Sequence, residues 1–267
     1  TARLAASLPM REGEIDTPAL VIDLDLLEKN IKVMSGVMRR NKKDWRPHSK
    51  GHKSPEIAQM LLAMGAMGVT VAKLGEAEVM AAAGVHDILI ANQIAISENK
   101  LHRLAKLRRC ADPIVTLDHE DQAYAISKAM AAAGVQVRCI IEINLGMERA
   151  GVAPCEPNDA HNDTEPAAIT LAKTISSLPG LEFVGVMGYE GHLLVADENQ
   201  DSAVRTCVGR LVATANAIRA CGLELSIVSC GGTGSMNVSA TIDGVTEIQA
   251  GGGIFSDLFY KLVAKRT

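Results

Sequence analysis

From Asp44 onward, short β-branched runs alternate with longer, Ala-rich stretches whose apolar positions recur at helical spacing. The short runs predict strands at Trp45 to His48, Gly68 to Ala72, Asp87 to Ala91 and Pro113 to Leu117. Four more are expected at Val137 to Ile143, Phe183 to Met187, Leu225 to Ser229 and Glu247 to Gln249. Helical patterns lie between them: Ser54 to Met64, Glu76 to Ala83, Glu98 to Arg109, Glu120 to Ala133, Glu165 to Ser177 and Asp201 to Ala220. Gly65, Gly84, Gly134 and Gly222 stand where left-handed C-caps belong. Ser54-Pro55-Glu56 and Ser97-Glu98 carry N-cap residues with an acid in the first turn.

Eight strands in one βα alternation predict an α/β fold with parallel pairing and, at this length, a closed (β/α)₈ TIM-type barrel. A doubly wound open sheet is the rival. The placement of unusual residues just after strands favours the barrel: Lys50, Lys73, Asn92, Arg149, Tyr189 to His192, and Gly231 to Gly234. In a barrel all of these converge on one face. A further strand, Leu20 to Asp23, and a helix, Leu26 to Arg40, make an N-terminal extension over residues 1–43, leaving 44–267 to the barrel. A polar loop is expected at Glu156 to Asp163.

Composition narrows the class. Of 267 residues, 48% are hydrophobic and 22% charged, enough for a large core. Aromatics are only 3%, which argues against a base-stacking surface, and a net charge of -4 gives no pull towards nucleic acid or an anionic membrane. No apolar run reaches the roughly 20 residues that span a bilayer, and no signal peptide pattern opens the chain, so a soluble, cytoplasmic protein is expected. Six cysteines without a CxxC pair read as reduced thiols. His48 and His52 lack the surrounding pattern of a zinc site. His86, His102, His119 and His161 read as surface residues.

Two segments carry candidate chemistry. Arg46-Pro47-His48-Ser49-Lys50-Gly51-His52-Lys53 ends the first barrel strand. A lysine facing a barrel interior has its pKa lowered by burial, as covalent capture of an aldehyde by an amine requires. On charge pattern alone, Lys50 and Lys53 equally describe a solvated pair before a helix. The second segment, Cys230-Gly231-Gly232-Thr233-Gly234-Ser235, follows the seventh strand, where barrels often hold phosphate. Its glycines admit an anion to backbone N–H groups, although turn geometry alone also recruits glycine. The absence of a GKS or GKT ending disfavours a nucleoside triphosphate. Together the two segments suggest an aldehyde cofactor with a phosphate handle, and pyridoxal 5'-phosphate fits.

Six stretches, in order, resemble the D-threonine aldolase and D-serine dehydratase family, relatives of alanine racemase among barrel-type pyridoxal-phosphate enzymes. They are Thr17 to Asp25, Arg46 to Glu56, Lys73 to Glu78, Gly146 to Val152, Gly188 to His192, and Gly231 to Gly234. The resemblance implies that Lys50 bonds to the cofactor and Arg149 contacts its phenolic oxygen. It implies that Tyr189 lies against the cofactor and that Gly231, Gly232, Thr233 and Gly234 hold its phosphate. His192 is a candidate proton carrier, with a hydrogen-bonded structural role as the alternative. Asn92 is either a polar lining residue or a turn residue.

By the same resemblance the chain is expected to be a lyase that splits D-β-hydroxy amino acids into glycine and an aldehyde. D-serine or D-hydroxyaspartate dehydration, amino-acid racemisation and non-catalytic cofactor binding are the alternatives. Relatives are dimers, use a divalent metal, and continue into a C-terminal β domain that supplies its ligands; this chain is expected to lack that domain. Where relatives have Gly-Ser-Tyr after the eighth strand, it has Gly251-Gly252-Gly253. An apolar rim exposed at the barrel mouth is the expected consequence of the missing domain.

Overall fold

The computed structural model describes residues 11–156, 165–193 and 199–255. Eight short strands form a single parallel sheet: β1 (Asp44–Trp45), β2 (Val69–Val71), β3 (Asp87–Gln93), β4 (Asp112–Leu117), β5 (Val137–Ile143), β6 (Leu181–Gly188), β7 (Ile227–Cys230) and β8 (Glu247–Ile248). Each strand pairs with its neighbour in sequence, and β8 returns to β1. The ring closes where His48 bridges Thr70, with Met67 N–H donating to Trp45 O and Thr70 N–H to Pro47 O. The closed barrel of the sequence reading is therefore the observed fold.

Helices cover the outside: α1 (Leu24–Asn41), α2 (Pro55–Ala63), α3 (Leu74–Ala82), α4 (Glu98–Arg108), α5 (Glu120–Ala132), α6 (Ala167–Ser177), α7 (Gln200–Ala220) and the single turn α8 (Met236–Ser239). Strands covered on both faces need near-continuous apolar sequence, and β4 and β5 show it. Alternate residues divide between two cores. Ile88, Ile90, Val115 and Ile141 face the helices, whereas Leu89, Ile114, Ile140, Val184, Met187 and Ile227 pack together inside the barrel. Gly185 is required where β6 crosses β7, because a Cβ there would lie 2.1 Å from Ile227 O.

The N-terminal end of the barrel is plugged by charge. Arg46, fully buried, donates through Nε to both oxygens of Glu247 at 3.1 Å and through Nη1 to Asp87 Oδ1 at 2.6 Å. Arg138 bonds the same Asp87 oxygen at 2.6 Å and reaches Asp112 Oδ2 at 2.9 Å. A buried pair of this kind is costly to break from one side, since the remaining charge has no water to turn to.

One expected element does not form. Residues 20–23 make no strand: Leu20 and Val21 are 103% and 73% exposed, and the described chain offers this segment no partner strand. Asp23 instead caps α1, accepting Leu26 N–H at 2.9 Å, so the helix starts at Leu24. Among the described residues the extension is therefore a 3-10 turn (Glu12–Glu14) and a capped helix, not strand and helix. Cys110 and Cys221 are exposed, and Cys139, Cys155, Cys207 and Cys230 are buried. Of the loop Glu156 to Asp163 only Glu156 lies among the described residues, and His161 lies outside them. Among the described residues no helix is long and apolar enough to cross a membrane.

Candidate active site

At the C-terminal ends of the strands lies a cavity of about 510 Å³. Its wall includes Lys50, Asn92, Arg149, Tyr189, and Gly231 to Thr233, so most of the residues singled out in the sequence meet there. Lys73 instead is the N-cap residue of α3, and His192 and Gly234 are not part of the wall. His192 is exposed and lies beside Gly146 in the loop after β5.

Lys50 is placed by a short 3-10 turn, Ser49–Gly51. His48 caps that turn, its Nδ1 accepting Lys50 N–H at 3.2 Å, and Ser49 Oγ donates to Thr70 O at 3.1 Å. The chain then enters a left-handed residue, Lys53 with φ 53°, which sends its amine to Glu76 at 3.1 Å. The two lysines are thereby separated: Lys53 is spent in an ion pair, and Lys50 faces the cavity. Burial, followed by repulsion from Arg149, holds the Lys50 amine below the ordinary lysine value. Burial also pushes the His48 imidazole down to about 3, with Lys50 adding to the effect, so His48 is neutral.

Tyr189 follows β6, and its ring is wedged between two glycines. A Cβ on Gly191 would lie 2.4 Å from the ring and one on Gly232 2.9 Å from it. Two cations lie over this ring: Lys50 Nζ at 5.2 Å and Arg149 Cζ at 5.7 Å from its centre. An aromatic face attracts cations, and so helps to hold two like charges in one cavity.

Arg149 rides on a loop tied back to the barrel. Asn144 Oδ1 accepts Gly146 N–H at 3.0 Å, Val152 N–H donates to Glu142 O at 2.9 Å, and Gly151 N–H donates to Asp118 Oδ2 at 3.0 Å. Gly151, at φ 98°, has no room for a Cβ, which would meet backbone atoms at 2.8 to 2.9 Å.

Sequence reasoning missed Glu142. This carboxylate, 4% exposed, faces the cavity from β5 and lies 3.6 Å from Arg149 Nη2. Gln93 Nε2 donates to it at 2.7 Å. Burial raises its pKa, and the Gln93 bond and Arg149 oppose that rise. A signal was present: Glu142 is the one acid in an apolar strand that is covered on both sides.

The turn after β7 is more than a row of open amides. Gly231 N–H donates to Glu190 Oε2 at 3.3 Å and Gly232 N–H to Ser235 Oγ at 3.0 Å. Both glycine amides therefore serve the turn itself. Thr233 Oγ1 accepts Gly253 N–H at 2.9 Å and joins this turn to the one after β8. Gly251 is forced by close approach, because a Cβ there would lie 2.2 Å from His48 O.

Comparison with known proteins places this arrangement. The alanine racemase N-terminal domain model matches residues 22–258. D-threonine aldolase of Arthrobacter sp is 35% identical over 262 residues, covering 95% of this chain and 66% of that protein. D-threo-3-hydroxyaspartate dehydratase of Delftia sp. (strain HT23) is 35% identical, covering 91% of this chain and 62% of that protein. The solved D-threonine aldolase of Filomicrobium marinum superimposes with a TM-score of 0.87 at 33% identity, over 94% of this chain and 65% of that one. The chain thus spans slightly under two thirds of the length of these relatives.

Proposed function

The chain belongs to the alanine racemase N-terminal domain family, and on that premise we propose that it is the barrel of a pyridoxal-phosphate lyase acting on D-β-hydroxy amino acids. The reaction would split substrate into glycine and an aldehyde. One observation carries the reading: a lysine with a depressed pKa and an arginine both lie over the ring of one tyrosine inside the barrel mouth. That is the polar set an aldehyde cofactor with a phenolic oxygen needs. Gly231, Gly232 and Thr233 line the same cavity beside Tyr189, which suits a flat ring with a phosphate tail.

When bound, the cofactor supplies an electron-withdrawing ring that makes bonds at the substrate α-carbon easier to break. Each residue then has a distinct task. Lys50, with burial favouring its neutral amine, is the nucleophile towards the cofactor aldehyde, and it can return a proton to the α-carbon afterwards. Arg149 would hold the phenolic oxygen when the cofactor is bound, and Glu142 steadies the guanidinium from β5. Tyr189 supports the ring from its glycine-bounded slot, and Thr233 offers a hydroxyl to the phosphate. Retro-aldol cleavage also requires that the β-hydroxyl lose its proton as the Cα–Cβ bond breaks. His192 is the candidate for that proton, but it is exposed beside Gly146 and outside the cavity wall, so taking it would require the imidazole to turn in towards the substrate.

Dehydration is the second reading, because the Delftia dehydratase is as similar as the Arthrobacter aldolase, at 35% identity. Incubation with D-threonine and pyridoxal phosphate, with and without a divalent metal, separates the two. Acetaldehyde and glycine mark cleavage, whereas 2-oxobutanoate and ammonia mark dehydration. Racemised threonine without either product set would contradict both.

A further inference from the structure

Glu190 has no part in the chemistry described so far, yet it is completely buried directly behind the cavity wall. Three donors converge on its carboxylate. Ser235 Oγ donates to Oε1 at 2.6 Å, Ser239 Oγ donates to the same oxygen at 2.7 Å, and Gly231 N–H donates to Oε2 at 3.3 Å. Ser235 Oγ in turn accepts Gly232 N–H at 3.0 Å. One side chain thus gathers the turn after β7 and the helical turn α8, and joins both to the backbone that carries Tyr189.

Burying a carboxylate is expensive unless its lone pairs are satisfied. Here neutral donors satisfy it: the Gly231 amide directly, and the Gly232 amide through Ser235, so both glycine amides are drawn away from any anion. Gly231, at φ 87°, is held in a conformation that side-chain-bearing residues avoid, so its geometry depends on that tie. Gly232 lies against the Tyr189 ring. Any relaxation of the turn would therefore displace Tyr189 and Thr233 relative to each other.

We propose that Glu190 is a positioning residue that locks the Gly231–Ser235 turn against the Tyr189 segment, and so sets the spacing between the phosphate subsite and the ring subsite. This rests on the pyridoxal-phosphate reading above. It goes further in making recognition of the phosphate depend on a carboxylate that never touches the ligand.

The test compares two probes that differ only in the phosphate, pyridoxal 5'-phosphate and pyridoxal, by absorbance titration of the parent chain, Glu190→Gln and Ser235→Ala. Glutamine offers one acceptor oxygen where three donors converge, and Ser235→Ala cuts the same relay from the glycine side. The parent is expected to prefer the phosphate ester. Both variants are expected to lose about tenfold of that preference, corresponding to roughly 1.4 kcal/mol, while affinity for pyridoxal changes less than threefold. A purely structural role for Glu190 would instead lower thermal stability and weaken both probes in parallel, which overturns the proposal. A preference unchanged in both variants overturns it as well, and leaves the cofactor reading standing. A parent that binds neither aldehyde overturns that reading and this proposal with it.

Discussion

The Lys50 amine lies 5.2 Å from the centre of the Tyr189 ring, so a residue just after the first strand and one just after the sixth meet across the barrel mouth. The contact favours the cation, whereas burial, and after it the nearby Arg149, lower the pKa of the amine. The amine is therefore more nucleophilic at neutral pH than an ordinary lysine.

Removing the neighbouring cation should make Lys50 a poorer nucleophile. In Arg149→Leu the repulsion disappears and the Lys50 pKa rises towards its ordinary value. Labelling of Lys50 by an amine reagent at pH 8, followed by mass spectrometry, should slow at least twofold relative to the parent. Unchanged labelling would mean that burial alone sets the amine.

The glycines should respond according to what faces them. Gly232→Ala places a Cβ 2.9 Å from the Tyr189 ring and should weaken pyridoxal phosphate binding about tenfold in a folded protein. Gly251→Ala places one 2.2 Å from backbone at His48 and should cost about 3 kcal/mol of stability. Gly209→Ala, inside α7 with nothing within 4 Å, should stabilise by about 0.5–1 kcal/mol. Urea unfolding of the three variants checks the order.

Arg46→Met leaves Glu247 without its buried partner and takes one cation from Asp87. A loss of about 3–5 kcal/mol is expected. The change is at the opposite end of the barrel from Lys50, so ligand affinity measured on the folded fraction should hold. A loss below about 1 kcal/mol would show that the network is compensated elsewhere.

His48 predicts an acid limb. Its pKa falls from 6.5 to about 3 on folding, so the unfolded chain binds a proton that the folded one refuses. Stability is therefore lost as pH drops below 6.5 towards 3, at up to about 1.4 kcal/mol per pH unit from this group. Lys50, Arg149 and His52 push in the same direction and Glu76 opposes them. In His48→Asn, which keeps an acceptor for Lys50 N–H, the slope between pH 6 and 4 should flatten by about one proton. Equal slopes in parent and variant would contradict the assignment.

The strands were legible because both of their faces are covered, and β-branched runs with turn residues at each end have few other readings. For β5 the expected and observed bounds coincide at Val137–Ile143. Leu20 to Asp23 had the same local composition but needs a neighbour to pair with, which no local pattern supplies. Charge pattern alone did not separate Lys50 from Lys53, although the family resemblance singled out Lys50; the left-handed turn at Lys53 and its bond to Glu76 give the physical reason. Glu190 was hidden for a similar reason: its partners lie 41 to 49 residues further on. Glu142 was readable as a lone acid in an apolar strand.

The central claim is that Lys50 is the covalent anchor for pyridoxal phosphate in this barrel. Titration with the cofactor, followed by visible absorbance, tests it most directly when repeated on Lys50→Ala. A yellow band that saturates in the parent, is absent from the variant and survives denaturation after borohydride reduction is the predicted result. A band of equal strength in Lys50→Ala, or none in a folded parent, would contradict it.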